Sequence, residues 1–238
     1  MNAVYTAARM VNKHVLSRFG LQIAHPTVIH GPAASMGVVD WSQRLWGFEP
    51  FLTRLKDVSG DFVECGVYYG HGLLILLHLN RFEGAPRHIW GFDGFQGHSA
   101  PSAADLNSEK AIKLGKLYKV TEQDVWKTLS LGTGEQESEL RSKVTLVSGW
   151  LSETLPKHSG QIAFLHLDPD YYQPTKDALT ILWPRISPGG VVMFGMLENP
   201  SLPGKGIAVK EFAASRPSGL LGVYHDAASN YHYLLKSR

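Results

Sequence analysis

The sequence predicts an α/β fold: a Rossmann-like, mainly parallel seven-stranded sheet with an antiparallel C-terminal hairpin and helices on both faces. Apolar runs of strand length recur along it, "DFVEC" at 61–65, "HIWGFD" at 88–93, "VTLVS" at 144–148, "IAFLHLD" at 162–168 and "VVMFGM" at 191–196. Stretches with helical periodicity separate them, and strands that apolar, alternating with helices, belong to a sheet covered on both faces. The tail adds the hairpin, because "LLGVYHDAASNYHYLLKS" sets two apolar runs around a polar turn, the pattern of an antiparallel pair at a sheet edge.

Taken in order, the first element is a helix. No acid precedes Asp40, while Val4, Ala8, Val11, Val15 and Phe19 recur at helical spacing among Arg9, Lys13 and Arg18. Three cations are few for a membrane-surface helix or a presequence, so residues 1–40 are read as an extension that caps the core or packs on a second subunit. A homodimer is compatible with that reading. The main domain is expected over 41–238. "DWSQRLWGFEPFLTRLKDV" starts at Asp40 as an N-cap and continues as a helix, and "LLILLHLNRF" at 73–82 is a largely buried one. Residues 97–143 mix "HSAPSAADLNSEK" with a helix at "EQDVWKTLS". An irregular connection of that length is read as a lid or substrate wall, or else a surface helical insertion, with Tyr118, Lys119 and Trp126 as candidate acceptor contacts. "GTGEQESELR" is a solvated loop and helix start. A helix near 175–183 follows the fourth strand, and "SPGG" at 187–190 is a turn.

Composition bounds the function. A chain of 238 residues suits a single α/β core. A net charge of +2 gives no broad field for nucleic acid. The single Cys65 excludes an internal disulfide and CxxC sites. No apolar run reaches the roughly 18–20 residues of a membrane span, and the start does not read as a signal peptide. A soluble cytoplasmic protein with a small-molecule substrate is expected.

The site is written in "DFVECGVYYGHG". Open parallel sheets bind ligands at the carboxyl ends of their strands, and Gly66, Gly70 and Gly72 follow the first strand there. Gly66 and Gly70 let the backbone turn and approach a ligand. The spacing is not the GxGxxG of a phosphate loop, which argues against a nicotinamide-dependent dehydrogenase. Glu64 stands two residues before Gly66, where it repels pyrophosphate and suits an amine or sulfonium. Asp93 ends the second strand 27 residues beyond Gly66, and an acid there can accept both hydroxyls of a ribose. A cationic nucleoside without phosphate fits both acids, and S-adenosylmethionine is such a molecule.

"GDFVECGV", "WGFDGFQG", "VTLVSGWLSETLP" and "IAFLHLDPDYYQPTKDAL…SPGGVV" stand in the order seen in the macrocin/mycinamicin (TylF/MycF-like) O-methyltransferase family. The chain resembles that family over roughly residues 60–192. The resemblance implies a class I S-adenosylmethionine-dependent enzyme methylating the hydroxyl of a sugar or other small molecule, in secondary-metabolite or glycan biosynthesis. It implies that Glu64 and Gly66 hold the amino-acid end of the cofactor, Asp93 its ribose, and Ser148–Trp150 the adenine border. The expected cofactor set is then Glu64, Gly66, Val67, Gly70, Asp93, Gly94, Ser148, Gly149, Trp150 and Asp168. From the residues alone, Trp150 just past a strand end is an aromatic wall for a purine or a core tryptophan.

The family places a magnesium ligand at Asp168 and two adjacent acids at the end of the fifth strand. Here Gly195 and Met196 stand at those positions. Magnesium prefers several hard carboxylate oxygens, and Glu198 lies two residues too late, so no tightly bound metal is expected. Methyl transfer is an in-line displacement that positioning can promote, but the acceptor must lose a proton. Asp168 is the first candidate base, with His71 and His98 beside cofactor segments as the others. His166 is read as a satisfied core histidine, and Asp170 as a brace for the following turn. The alternative function is a cofactor-binding homologue without catalysis, in a regulatory or structural role.

Overall fold

The computed structural model describes residues 55–82, 86–105, 120–195, 197–216, 223–226 and 231–238. The helix expected within 1–40, nearly all of the one expected from Asp40, and Tyr118 and Lys119 lie outside them.

Strand β1 (Asp61–Cys65) lies between β2 (Ile89–Asp93) and β4 (Ile162–Leu167), parallel to both. β3 (Val144–Ser148) pairs with β2 and β5 (Ile186–Gly195) with β4, again in parallel. β7 (Tyr231–Leu235) runs antiparallel to β5 and carries β6 (Val223–Asp226) at the edge. The order is β3-β2-β1-β4-β5-β7-β6.

The pleat sorts each strand between two cores, because successive side chains point to opposite faces. Phe62 and Phe164 face helix α1 (His71–Phe82), joined by Trp126 and Leu129 of α2 (Glu122–Thr133) and Leu140 of the short α3 (Glu137–Leu140). Val63, Cys65, Leu165 and Leu167 face the other way, onto Leu151 of α4 (Leu151–Thr154), Leu179 and Leu182 of α5 (Tyr172–Leu182) and Val209 of α6 (Gly204–Ala214). Helix α2 begins at a capping box between Thr121 and Asp124 and stops at Gly134, in the left-handed conformation at φ 75°. Arg87 fixes the entry to β1: its guanidinium donates to the carbonyls of Leu55, Val58 and Gly60 at 2.7, 2.5 and 2.9 Å.

Three local expectations are corrected. "SPGG" lies inside β5: the ladder passes from Ile162 opposite Ile186 to Phe164 opposite Val191, so the extra residues of β5 bulge around exposed Pro188. Turn chemistry sits within a strand when the ladder can absorb it in this way. Helix α5 starts at Tyr172, before Pro174 rather than after it, since a proline in the first turn removes only a donor that has no intrahelical partner. Trp126 is core: it is 2% exposed, with the Arg141 guanidinium 4.4 Å from its ring centre. In the 97–143 segment, residues 97–100 border a cavity while α2 packs on α1.

Candidate functional site

Three strand exits meet at the carboxyl edge. The Gly66 amide donates to the Phe92 carbonyl at 2.9 Å, Asp168 N–H to Cys65 at 2.9 Å, and Gly149 N–H to Asp93 at 3.0 Å. These bonds extend the ladder past β1, β4 and β2 and draw their loops together. Gly66 has φ +85°, and a Cβ there would lie 2.7 Å from the Asp168 carbonyl oxygen, so the β1 exit needs a glycine. The loops enclose a cavity of about 860 Å³, walled in part by Gly66, Asp93, Gly94, His98, Trp150, Asp168, Asp170 and Tyr171. A concave site at the strand ends is where this architecture takes its ligand.

Asp93 organises one side. Its Oδ2 accepts from Tyr68 N–H at 2.9 Å and its Oδ1 from Phe95 N–H at 2.8 Å. Tyr68 (φ 50°) and Phe95 (φ 49°) are the non-glycine residues with positive φ among those described. An L-residue held there costs roughly 1–3 kcal/mol, and charge-assisted bonds to one carboxylate are what offset it. Opposite, Trp150 is 39% exposed and its ring lies against Gly94, where a Cβ would come 3.2 Å from Cζ3. An uncovered aromatic face beside an acid is a good setting for a nucleoside.

Asp168 is held differently. The Lys205 ammonium donates to its Oδ1 at 2.6 Å and to the Gly195 carbonyl at 3.1 Å. Lys205, in the first turn of α6, is only 2% exposed. Its flanking glycines make the approach possible: a Cβ on Gly204 would fall 1.7 Å from Asp105 Oδ1, and one on Gly206 2.3 Å from the Leu197 carbonyl oxygen. Glu198 is exposed, and among the described residues no group of three or more His, Cys, Asp or Glu side chains could hold a metal. The donors around Asp168 therefore do not fit magnesium: an ammonium and a glycine stand where hard carboxylates are required.

The third wall is the segment after β2. His98 Nε2 lies 2.7 Å from Asp170 Oδ2, and its ring tilts over Tyr171 at 5.0 Å. His98 Nδ1 and Ser99 Oγ are buried with no hydrogen-bond partner among the described residues. Burial, then the Asp170 and Asp105 charges, pushes the Tyr171 phenol above its ordinary range, so it stays protonated. Asp105, fully buried, ties this wall down: it accepts from Ser102 N–H and Oγ at 2.8 and 2.7 Å and from Tyr172 N–H, the first of α5, at 2.9 Å.

Of the residues expected at the site, Gly66, Asp93, Gly94, Gly149, Trp150, Asp168 and His98 border the cavity. Glu64, Val67, Gly70, His71 and Ser148 do not, and each has a physical reason. Glu64 is 2% exposed and points along the α1 face of the sheet. It stands opposite His166 in the ladder, Oε1 and Nδ1 2.7 Å apart, and a Cβ on Gly72 would lie 1.8 Å from its Oε1. A carboxylate at the start of α1 is favoured by the helix dipole, so Glu64 braces the glycine loop from behind. Val67 is core, and Gly70 (φ +85°) abuts Val125. His71 opens α1 with its ring 6.5 Å from that of Tyr69, and Ser148 is exposed at the end of β3. Sequence reasoning missed Lys205 and Asp105. For Lys205 a signal existed, a lone lysine between two glycines after Pro203; for Asp105 there was none.

In sequence and in fold the chain is similar to known proteins. The profile of the TylF family, described as macrocin-O-methyltransferase, matches residues 37–216. The chain is 33% identical over 144 residues to the 8-demethyl-8-(2,3-dimethoxy-alpha-L-rhamnosyl)-tetracenomycin-C 4'-O-methyltransferase of Streptomyces olivaceus, covering 59% of this chain and 54% of that protein. It is 28% identical over 167 residues to the mycinamicin III 3''-O-methyltransferase of Micromonospora griseorubida, covering 67% and 63%. With the demethyldecarbamoylnovobiocin O-methyltransferase of Streptomyces niveus it shares 31% over 144 residues, covering 58% and 53%. The match thus spans between about half and two thirds of the length of these relatives. In fold the chain is similar to the solved structure of the O-methyltransferase NovP, with a TM-score of 0.72 at 23% identity over 98% of this chain and 99% of that one. It is also similar to the calicheamicin methyltransferase CalS11, with 0.69 at 22% identity over 99% and 93%.

Proposed function

The chain belongs to the macrocin O-methyltransferase (TylF) family, and from that premise we propose that it is an S-adenosylmethionine-dependent methyltransferase acting on the hydroxyl of a sugar or other small molecule, in secondary-metabolite or glycan biosynthesis. The observation that carries this reading is Asp93, a carboxylate at a strand end, fixed by two backbone amides and facing the same cavity as Asp168 and the His98–Asp170 pair.

The residues present fit the cofactor. A carboxylate has about four lone-pair sites, so Asp93 can accept two ribose hydroxyls beside the amides of Tyr68 and Phe95. Trp150 offers its open face to the adenine, and Gly66 brings bare backbone to the amino-acid end, with Glu64 holding the loop behind it. The bound cofactor supplies an electrophilic methyl group on a sulfonium. The division of labour on the acceptor side follows from pairing. Asp168, its Oδ1 held by the Lys205 ammonium, orients the acceptor hydroxyl. An imidazole is suited to taking a proton near neutral pH. His98, which borders the cavity with its Nε2 tied to Asp170, is the group that takes it.

Calorimetric titration with S-adenosylhomocysteine tests the cofactor half of this reading, and absence of binding overturns it. Incubation of the protein with methyl-labelled S-adenosylmethionine and a panel of glycosides and phenols tests the rest. A product labelled on oxygen is expected. Label on nitrogen or sulfur overturns the assignment of the acceptor atom.

A further inference from the structure

Lys205 is an expensive residue in its position. A buried ammonium loses its hydration, and the first turn of a helix is the wrong end of the dipole for a cation. Two compensations are built for it, Asp168 at 2.6 Å and the Gly195 carbonyl at 3.1 Å. Gly204 and Gly206 let α6 come close enough to deliver it. The oxygens that receive it are those of a cation site, a carboxylate after β4 and a backbone carbonyl at the end of β5.

We infer that Lys205 is the resident cation of this site: its ammonium occupies the place between Asp168 and the end of β5 that a divalent metal would need, and the site therefore works without one. The inference rests on the methyltransferase reading for its purpose, which is to hold Asp168 toward the acceptor hydroxyl. Lys205 does not border the cavity, so it is a positioning residue acting through Asp168. An ammonium makes directional hydrogen bonds but offers no open coordination positions. The acceptor oxygen is therefore oriented by Asp168 rather than ligated by the cation, which distinguishes this arrangement from a metal site.

The test reads metal binding by Mn(II) electron paramagnetic resonance and cofactor binding by S-adenosylhomocysteine calorimetry, on the apo and the loaded protein. In the wild type the Mn(II) spectrum is expected to remain that of the free ion, and the affinity for S-adenosylhomocysteine to be the same in magnesium and in chelator. Bound Mn(II) that Asp168→Asn abolishes overturns the inference. The converse variant combines Lys205→Ala with Gly195→Asp. It is expected to gain bound Mn(II), and to lose it again when Asp168→Asn is added. A lysine that merely fills space would produce no such gain. A double variant that binds S-adenosylhomocysteine as the wild type does, but no Mn(II), also overturns the inference. The wild-type measurement decides even if the variants fail to fold. Failure of S-adenosylhomocysteine to bind the wild type counts against the cofactor reading alone, because the Mn(II) result on the apo protein is independent of it.

Discussion

Two aspartates close the strands on either side of β1, and they are held in opposite ways. Asp93, the last residue of β2, is wired to backbone: the amides of Tyr68 and Phe95 reach it from two loops that are themselves bent into left-handed turns. Asp168, after β4, is wired to a side chain that arrives from a helix 37 residues later. A carboxylate held by two neutral amides still presents spare lone pairs, which suits hydroxyl recognition. A carboxylate neutralised by an ammonium is fixed in direction, which suits orienting a reactant. The same residue type at equivalent places in one sheet thus takes a binding role on one side and a positioning role on the other.

The largest expected effect breaks the first arrangement. Asp93→Ala removes the ribose acceptor and orphans two amides, and should lower affinity for S-adenosylhomocysteine by at least ~100-fold, since bonds to a charged group contribute about 1.5–3 kcal/mol each. Calorimetry reads it, and a change below tenfold would contradict the role given to Asp93. Asp168→Asn is the contrasting variant. It leaves the Lys205 ammonium buried without its carboxylate and should cost about 2–3 kcal/mol in denaturant unfolding, below the full penalty for a buried pair because Asp168 is partly exposed. Affinity for S-adenosylhomocysteine should change less than tenfold. If the two variants behaved alike, the division between the acids would be wrong.

A smaller effect isolates the strain that Asp93 supports. At Phe95, glycine should be more stable than alanine by about 1 kcal/mol, the reverse of the usual order, because only glycine adopts φ 49° without cost. Thermal unfolding of Phe95→Gly and Phe95→Ala measures it, and alanine at or above glycine would refute the strain. The smallest effect lies between the two acids. Burial, then the Glu64 and Asp93 charges, pushes the Cys65 thiol well above its ordinary value of 9.0. A group whose folded value is raised contributes stability below its unfolded value and loses it as pH rises beyond. Stability should therefore fall above about pH 9 in the wild type, with that part of the slope absent in Cys65→Ala. Equal slopes would sink this prediction, as would a native thiol that reacts readily with disulfide reagents.

The contrast also explains how much of the molecule was legible in the sequence. Asp93 could be read because it ends an apolar strand just before a glycine turn, and one partner, Phe95, lies two positions on; its bond from Tyr68, 25 residues away, was not legible. Lys205 on Asp168, Glu64 against His166 across 102 residues, and Asp105 at the first amide of α5 across 67 could not be read in that way. Nor could "SPGG" as part of a strand, because only the bulged ladder with β4 and the backbone bonds of Gly189 and Gly190 with Lys236 hold it there.

By itself the sequence determined the alternation of strands and helices and the acid and glycines at the β1 and β2 exits, since hydrophobic period and turn chemistry act between neighbours in the chain. Tertiary structure alone decided which acid faces the cavity, which is turned inward, and which cation holds Asp168. Those pairings depend on how closely distant elements approach, and the approach of α6 is set by the two glycines on either side of Lys205 meeting backbone and side-chain oxygens from elsewhere in the fold.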